Sequence, residues 1–228
     1  MDLSPFLAAV NIAATIIGTL YCFVLAVIIA LRDIRGHFER IVFATCIAFA
    51  LRSVALWLGG MWAWVGYYHI PGAFSIVNAT LLALLPFALF SRLSRPLPLA
   101  ILATGLATAM LMLTPDMIYG QTYYTDVGFT VLTFGPYINV YRAVLTILLI
   151  IPLVIYRTYM HRIHARNTQT IACTLLIGQS IYSSFVIMST VLLPLFGYAQ
   201  FTYYNTIVGI AVVATSFTIV LLRSYEKS

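Results

Sequence analysis

Residues 137–156 read YINVYRAVLTILLIIPLVIY, and residues 157–166 continue as RTYMHRIHAR. The first stretch holds one charge, Arg142, whereas the second packs three arginines and two histidines together. A helix needs about 20 mainly apolar residues to cross the hydrocarbon core of a bilayer. A basic cluster just beyond such a segment marks the cytoplasmic side. The stretch therefore predicts a transmembrane helix that runs from outside to inside.

The pattern repeats along the chain. Apolar spans are expected at about 5–31, 41–65, 72–91, 97–114, 137–156, 170–193 and 201–222. Basic residues follow every odd span: Arg32, Arg35 and Arg40, then Arg92 and Arg95, then Arg157, Arg162 and Arg166, and finally Arg223 and Lys227. The opposite loops carry no Lys or Arg, only Asp2, His69, Asp116 and Asp126 among charged and titratable groups. This predicts an all-α integral membrane protein: one seven-transmembrane helix bundle, N-terminus outside, C-terminus cytoplasmic, in the plasma (cytoplasmic) membrane. The odd span count and the charge asymmetry agree independently. Positive charge follows the first span instead of preceding it, so that span reads as a retained helix and not a cleaved signal.

Composition fits this class. The 228 residues are 62% hydrophobic and 8% charged, with a mean hydropathy of +1.01. Soluble domains carry about 25% charged residues. The net charge of +6 is a topology signal here, and no nucleic-acid partner is expected. Cys22, Cys46 and Cys173 fall within apolar runs and read as small packing residues.

The chemistry inventory is short. No Asp or Glu lies within a span, and all four histidines lie in loops. Proton-coupled carriers place titratable groups at membrane depth. Intramembrane metalloproteases need HExxH, aspartyl sites need paired carboxylates, and haem needs an axial ligand. None of these sets is present, so neither enzyme activity, a metal nor a cofactor is expected. Retinal proteins attach their chromophore to a lysine of the last span; the only lysine, Lys227, lies in the tail.

The informative residues are two arginines inside spans. Arg52 is expected about 16 Å above the inner start of span two, and Arg142 about 8 Å below the outer start of span five. An arginine at the bilayer centre costs at least about 2.5–3.5 kcal/mol, so it turns toward protein or a wet cavity. Asn11, Asn78 and Asn205 are expected in the outer half, with Tyr141, Tyr182 and Gln179 nearby. The inner half offers only hydroxyl and small residues such as Thr215, Ser216 and Thr218. Two readings stay open. Arg142 snorkels past Tyr137 while Arg52 bonds carbonyls, Asn side chains or a Trp face. Alternatively, Arg52, Asn78, Arg142, Tyr141, Tyr182, Asn11 and Asn205 surround a small ligand whose anionic form supplies the missing counter-charge. Asp126 of the outer loop is the one nearby acid that could dip in.

Outer aromatics (Trp62, Trp64, Tyr67, Tyr68, Tyr119, Tyr123, Tyr124, Tyr198, Tyr203 and Tyr204) read as an interfacial belt, with some left to line a ligand. The 115–136 connection is β-branched, aromatic and glycine-punctuated, which predicts a short hairpin or lid over the outer mouth. Pro86 and Pro152 should bend spans three and five.

From span five onward the signals have a particular order. Gly135-Pro136-Tyr137 opens span five, Arg166-Asn167-Thr168-Gln169 begins the sixth, and Leu193-Pro194-Leu195-Phe196-Gly197 closes it. This order, over the last hundred residues, resembles the N-terminal seven-transmembrane sensory region of bacterial histidine kinases, which also precedes diguanylate cyclase domains. The resemblance implies a sensor whose last helix leads into a signalling helix. It carries over no ligand residue. Because the sequence ends six residues after Leu222, it implies output through a signalling partner or a C-terminal output domain not contained in these residues. Membrane lipids, a small-molecule ligand and a second copy of the chain are the other partners considered.

A receptor is thus the leading expectation. A small solute transporter or facilitator is the first alternative, as in seven-helix sugar carriers of the same size, although spans one to three do not resemble spans five to seven. An accessory subunit of a membrane complex is the second, with Ala103, Gly105 and Ala107 offering a close helix contact.

Overall fold

The computed structural model describes residues 4–31, 36–62, 69–92, 95–124, 130–161, 166–196 and 208–225. The helices are α1 (Ser4–Leu31), α2 (His37–Trp62), α3 (His69–Leu89), α4 (Pro96–Leu113), α5 (Ile138–Met160) and α6 (Arg166–Ile187). A π-helical turn (Met188–Leu192) and a short turn (Leu193–Leu195) extend α6. A second π-helical turn (Ile210–Ala214) runs into α7 (Thr215–Tyr225). The first six expected spans coincide with helices; the start of the seventh lies outside the described residues. Among the described residues, four helices are long and apolar enough to cross a membrane: His69–Leu89, Pro96–Leu113, Ile138–Met160 and Arg166–Leu195. Thr15–Leu31 and Ile210–Leu222 are shorter apolar segments. The chain is a helical membrane protein.

α3 is the central helix. It packs against α2, α4 and α5 and touches α6, while α6 packs against α5 and α7. Its residues are buried almost without break from Asn78 to Ala88. The outer helices instead present large apolar side chains outward, such as Ile17, Leu31, Leu99, Met110 and Val154. A soluble protein would expose polar groups there; a lipid-facing surface accepts this pattern.

The many hydroxyls do not make the bundle polar. Thr45, Ser53, Thr80, Thr108, Thr146, Ser189 and Ser216 each donate to a backbone carbonyl four residues earlier. This local bond satisfies the hydroxyl inside its own helix and leaves an apolar outer surface. Ser183 departs from the pattern and bonds another helix.

Pro86 lies inside α3 and Pro152 inside α5, as the sequence predicts. Proline has no N–H, so Pro86 cannot donate to the Leu82 carbonyl one turn earlier. Gln179 of α6 takes that place: its Nε2 donates to the Leu82 oxygen at 3.2 Å. One turn along the same face of α6, Ser183 Oγ donates to the Leu149 oxygen at 3.1 Å. Leu149 neighbours Leu148, whose carbonyl Pro152 leaves without its helical donor. α6 thus holds both proline-interrupted helices through two side chains four residues apart.

Small residues permit the close approaches. Gly105 of α4 lies against Thr80 of α3, within the bundle, whereas Ala103 and Ala107 are exposed. At Gly209, an added methyl would stand 2.8 Å from the Phe49 ring and 2.9 Å from the Tyr182 ring. Both rings are buried and cannot yield freely. Gly209→Ala is therefore expected to cost about 1–3 kcal/mol through overpacking. Gly36→Ala meets only the flexible end of Glu39 and should stay within about 0.5 kcal/mol. Thermal unfolding in detergent, followed by circular dichroism, compares the two.

The expected hairpin is present. β1 (Tyr119–Tyr124) and β2 (Thr130–Phe134) pair antiparallel, with Tyr119 opposite Phe134 and an irregularity between Tyr119 and Thr122. Its base is tied by Gly135 N–H to the Ile118 carbonyl (2.9 Å) and Tyr137 N–H to the Met117 carbonyl (3.0 Å). Ile118 is fully buried. Asp116 takes the left-handed backbone conformation, φ 59°, at the turn out of α4. The hairpin is therefore fixed to the bundle end where α4 finishes and α5 begins.

Candidate functional site

Several of the expected polar residues lie near one another on α2, α5 and α6, next to the base of the hairpin. Arg52 is 8% exposed and Arg142 9%, while Asn78, Tyr141, Tyr182 and Gln179 are buried more deeply still. Phe49, one turn before Arg52 on α2, meets the Tyr182 ring edge-on at 5.9 Å between centroids. That contact brings Arg52 toward α6, and the Arg52 charge acts on the hydroxyls of Tyr182, Tyr141 and Tyr119.

The hairpin supplies the roof. The Tyr119 ring lies 6.1 Å from that of Tyr141 and 6.4 Å from that of Phe134. The Tyr119 and Tyr141 hydroxyls are hydrogen-bonded to each other. The Arg142 guanidinium carbon sits 4.9 Å from the centroid of the Phe134 ring, in cation–π range. Burial pushes the Tyr119 phenol above its usual range, while the Tyr141 bond and the Arg52 and Arg142 charges pull it back. A neutral Tyr119 thus lies in the field of both arginines.

The Arg142 side chain reaches toward the outer start of α5, where Phe134 and Asn139 lie. Its guanidinium lies against the Phe134 ring, and its one described hydrogen bond goes to Asn139 Oδ1 at 3.4 Å. Several buried polar atoms have no partner among the described residues: Arg52 Nε, Arg142 Nε, both amide atoms of Asn78, and Gln179 Oε1. Natural interiors leave few such atoms. Among the described acids, Glu39 and Asp116 are both exposed; Asp126 lies outside the described residues.

Arg52, Tyr141 and Tyr182 are therefore brought together, with Arg142 joined to them through Tyr119, while Asn78 is buried on α3 with no hydrogen-bond partner among the described residues. Asn205 lies outside the described residues, and Asn11 is placed on α1 by its backbone alone. Sequence reasoning left Tyr119 in the interfacial belt and did not single out Phe134 or Phe49. The available signal was the position of Tyr119 and Phe134 at the two ends of the predicted hairpin, directly before Gly135-Pro136.

The end of the bundle expected to face the cytoplasm has a different character. Arg92 lies over the Tyr159 ring at 5.2 Å, and Phe90 packs on Tyr156 and Tyr159. A separate groove of about 530 Å³ lies on another face of α6, lined by Ser180, Ile181, Ser184, Phe185, Met188 and Val208. Its walls are mostly apolar and it does not include the arginine cluster. Among the described residues, no three His, Cys, Asp or Glu side chains gather in a way that could hold a metal ion. No protein-family model matches the chain, and no curated protein matches it in sequence.

Proposed function

We propose that this chain is a seven-helix sensor or receptor domain of the plasma membrane that binds a small amphipathic anion under its extracytoplasmic hairpin. In this reading the N-terminus is outside, the C-terminus is cytoplasmic, and α7 relays the signal to a partner or output domain. One observation carries it: two arginines, each about nine-tenths buried, have unpartnered Nε atoms and no acidic neighbour among the described residues. Buried cations need a counter-charge, because the desolvation of an ion costs several kcal/mol. An anionic ligand supplies it, and the Tyr119, Tyr141, Tyr182 and Phe49 rings give its apolar part a surface.

The fold supports a route for the signal. Gln179, one turn before Tyr182 on α6, closes the Pro86 break in α3. From Gln179, α6 runs into its π-helical turn, and α7 begins in another. Such turns are less stable than α-helix and are common at functional positions. A ligand shifts this arrangement only by binding its two states with different affinity.

Binding of hexanoate to the full chain in lipid nanodiscs, read by calorimetry against empty nanodiscs and against hexanol, tests the proposal. Hexanoate should bind and hexanol should not. Arg52→Gln and Arg142→Gln should each weaken hexanoate by about tenfold to a hundredfold, the worth of a charge-assisted hydrogen bond. If both variants bind hexanoate as the unmodified chain does, the anion site does not exist.

A further inference from the structure

We infer that the Phe134 ring and the bound anion compete for the charge of Arg142, so that an anion arriving at Arg142 releases the hairpin's hold on α5. The inference rests on the anion-site reading and adds the part of the fold that responds to binding.

The base of the hairpin is tied to the bundle in two chemically different ways. On the β1 side, Ile118 is fully buried, and the Tyr119 hydroxyl is bonded to that of Tyr141. Backbone bonds from Gly135 and Tyr137 to the Ile118 and Met117 carbonyls close the neck. A side chain at Gly135 would strike the Asp116 and Met117 carbonyls, so the neck is also close-packed. None of these contacts needs a charge. On the β2 side the tie is Phe134. Its ring is 43% exposed, so apolar burial holds it only in part. It lies 6.4 Å from the Tyr119 ring and 4.9 Å from the guanidinium carbon of Arg142, which is itself only 9% exposed. Asn139, one turn before Arg142, answers the same guanidinium with one long bond of 3.4 Å. Arg142 Nε has no partner among the described residues.

A cation is drawn to the negative face of an aromatic ring, and the attraction depends on the cation's charge. A carboxylate paired with a guanidinium forms charge-assisted hydrogen bonds, which are stronger than neutral ones. The pair is also neutral overall, so the ring keeps little of its electrostatic attraction. The anion therefore removes part of what holds Phe134 in place, while the Tyr119, Ile118 and backbone ties persist. Release is confined to the β2 side of the neck. Linkage makes the effect reciprocal: whatever weakens the ring's hold on Arg142 must tighten the anion. Phe134 thus sets the anion affinity without bonding the anion itself.

The test replaces Phe134 by para-fluorophenylalanine, and then by its di- and trifluorinated counterparts, in the full chain in nanodiscs. Each fluorine drains charge from the ring face and barely changes the ring's size. Hexanoate binding, read by calorimetry, should tighten stepwise and reach about threefold to tenfold with the trifluorinated ring. The fluorine NMR signal of the para-fluoro chain should shift on saturation with hexanoate and stay in place with hexanol. Equal binding along the series, or a signal that hexanoate leaves unmoved, overturns the competition and leaves the anion site standing. Stepwise weakening overturns it too, because Phe134 would then hold Arg142 in position for the anion. If hexanoate fails to bind the unmodified chain above the empty nanodisc, the anion site is gone and the competition with it.

Discussion

Replacing Arg52 with methionine is expected to stabilise the ligand-free protein while weakening hexanoate binding by about a hundredfold. Two readings of a buried arginine predict opposite signs here. If Arg52 held helices together, its loss would leave partners unpaired and destabilise the bundle. Its Nε has no partner, and none of the described hydrogen bonds or cation–π contacts involves it. Methionine is unbranched, similarly long and flexible, and fills irregular space well. Exchanging buried charges for packed apolar groups of similar volume is often neutral or stabilising by about 1–4 kcal/mol. Membrane burial adds to the argument, because a central arginine alone costs at least about 2.5–3.5 kcal/mol on insertion scales. Thermal unfolding in nanodiscs without ligand, paired with hexanoate titration, reads both signs in one preparation. Lower thermal stability together with unchanged binding would make Arg52 a structural residue and end its role in the site.

The same residue shows what the sequence made legible. Arg52 stood out because a charge within an apolar run is costly wherever the helix is placed, and cost needs no tertiary information. Tyr141, Arg142 and Tyr182 stood out by depth alone, since residues on different spans at one level have a fair chance of meeting in a narrow bundle. The prolines were equally visible. The partner of each proline break was not: an orphaned carbonyl is predictable at Leu82, but its donor belongs to another helix and depends on packing. Gln179 therefore looked like one polar residue among several. Tyr119 was hidden for a different reason. An aromatic residue at the bilayer edge has the same local signature whether it faces lipid headgroups or folds inward, and only the register of the hairpin, with Tyr119 opposite Phe134, separates the two. The fate of Arg142 was linked to this, because the ring that covers it comes from the hairpin.

The link between Gln179 and Pro86 gives the second large effect. Gln179→Leu should destabilise the protein by about 2–3 kcal/mol, since it removes a hydrogen bond and leaves the Leu82 carbonyl buried without a donor. In membrane protein interiors water does not repair such a loss. Pro86→Ala restores a backbone N–H at the position that normally bonds the carbonyl four residues earlier, namely Leu82. On the Pro86→Ala background, Gln179→Leu should therefore cost clearly less, with an interaction of about 1–2 kcal/mol between the two sites. Ser183→Ala is the control within the same face of α6: its acceptor is on α5, so its cost should be independent of residue 86. Unfolding free energies of the single and double variants close the cycle. Additive costs for Gln179→Leu and Pro86→Ala would show that the glutamine does not stand in for the missing helical donor. It would then lose its place as the connection between the buried cluster and the proline-bent helices.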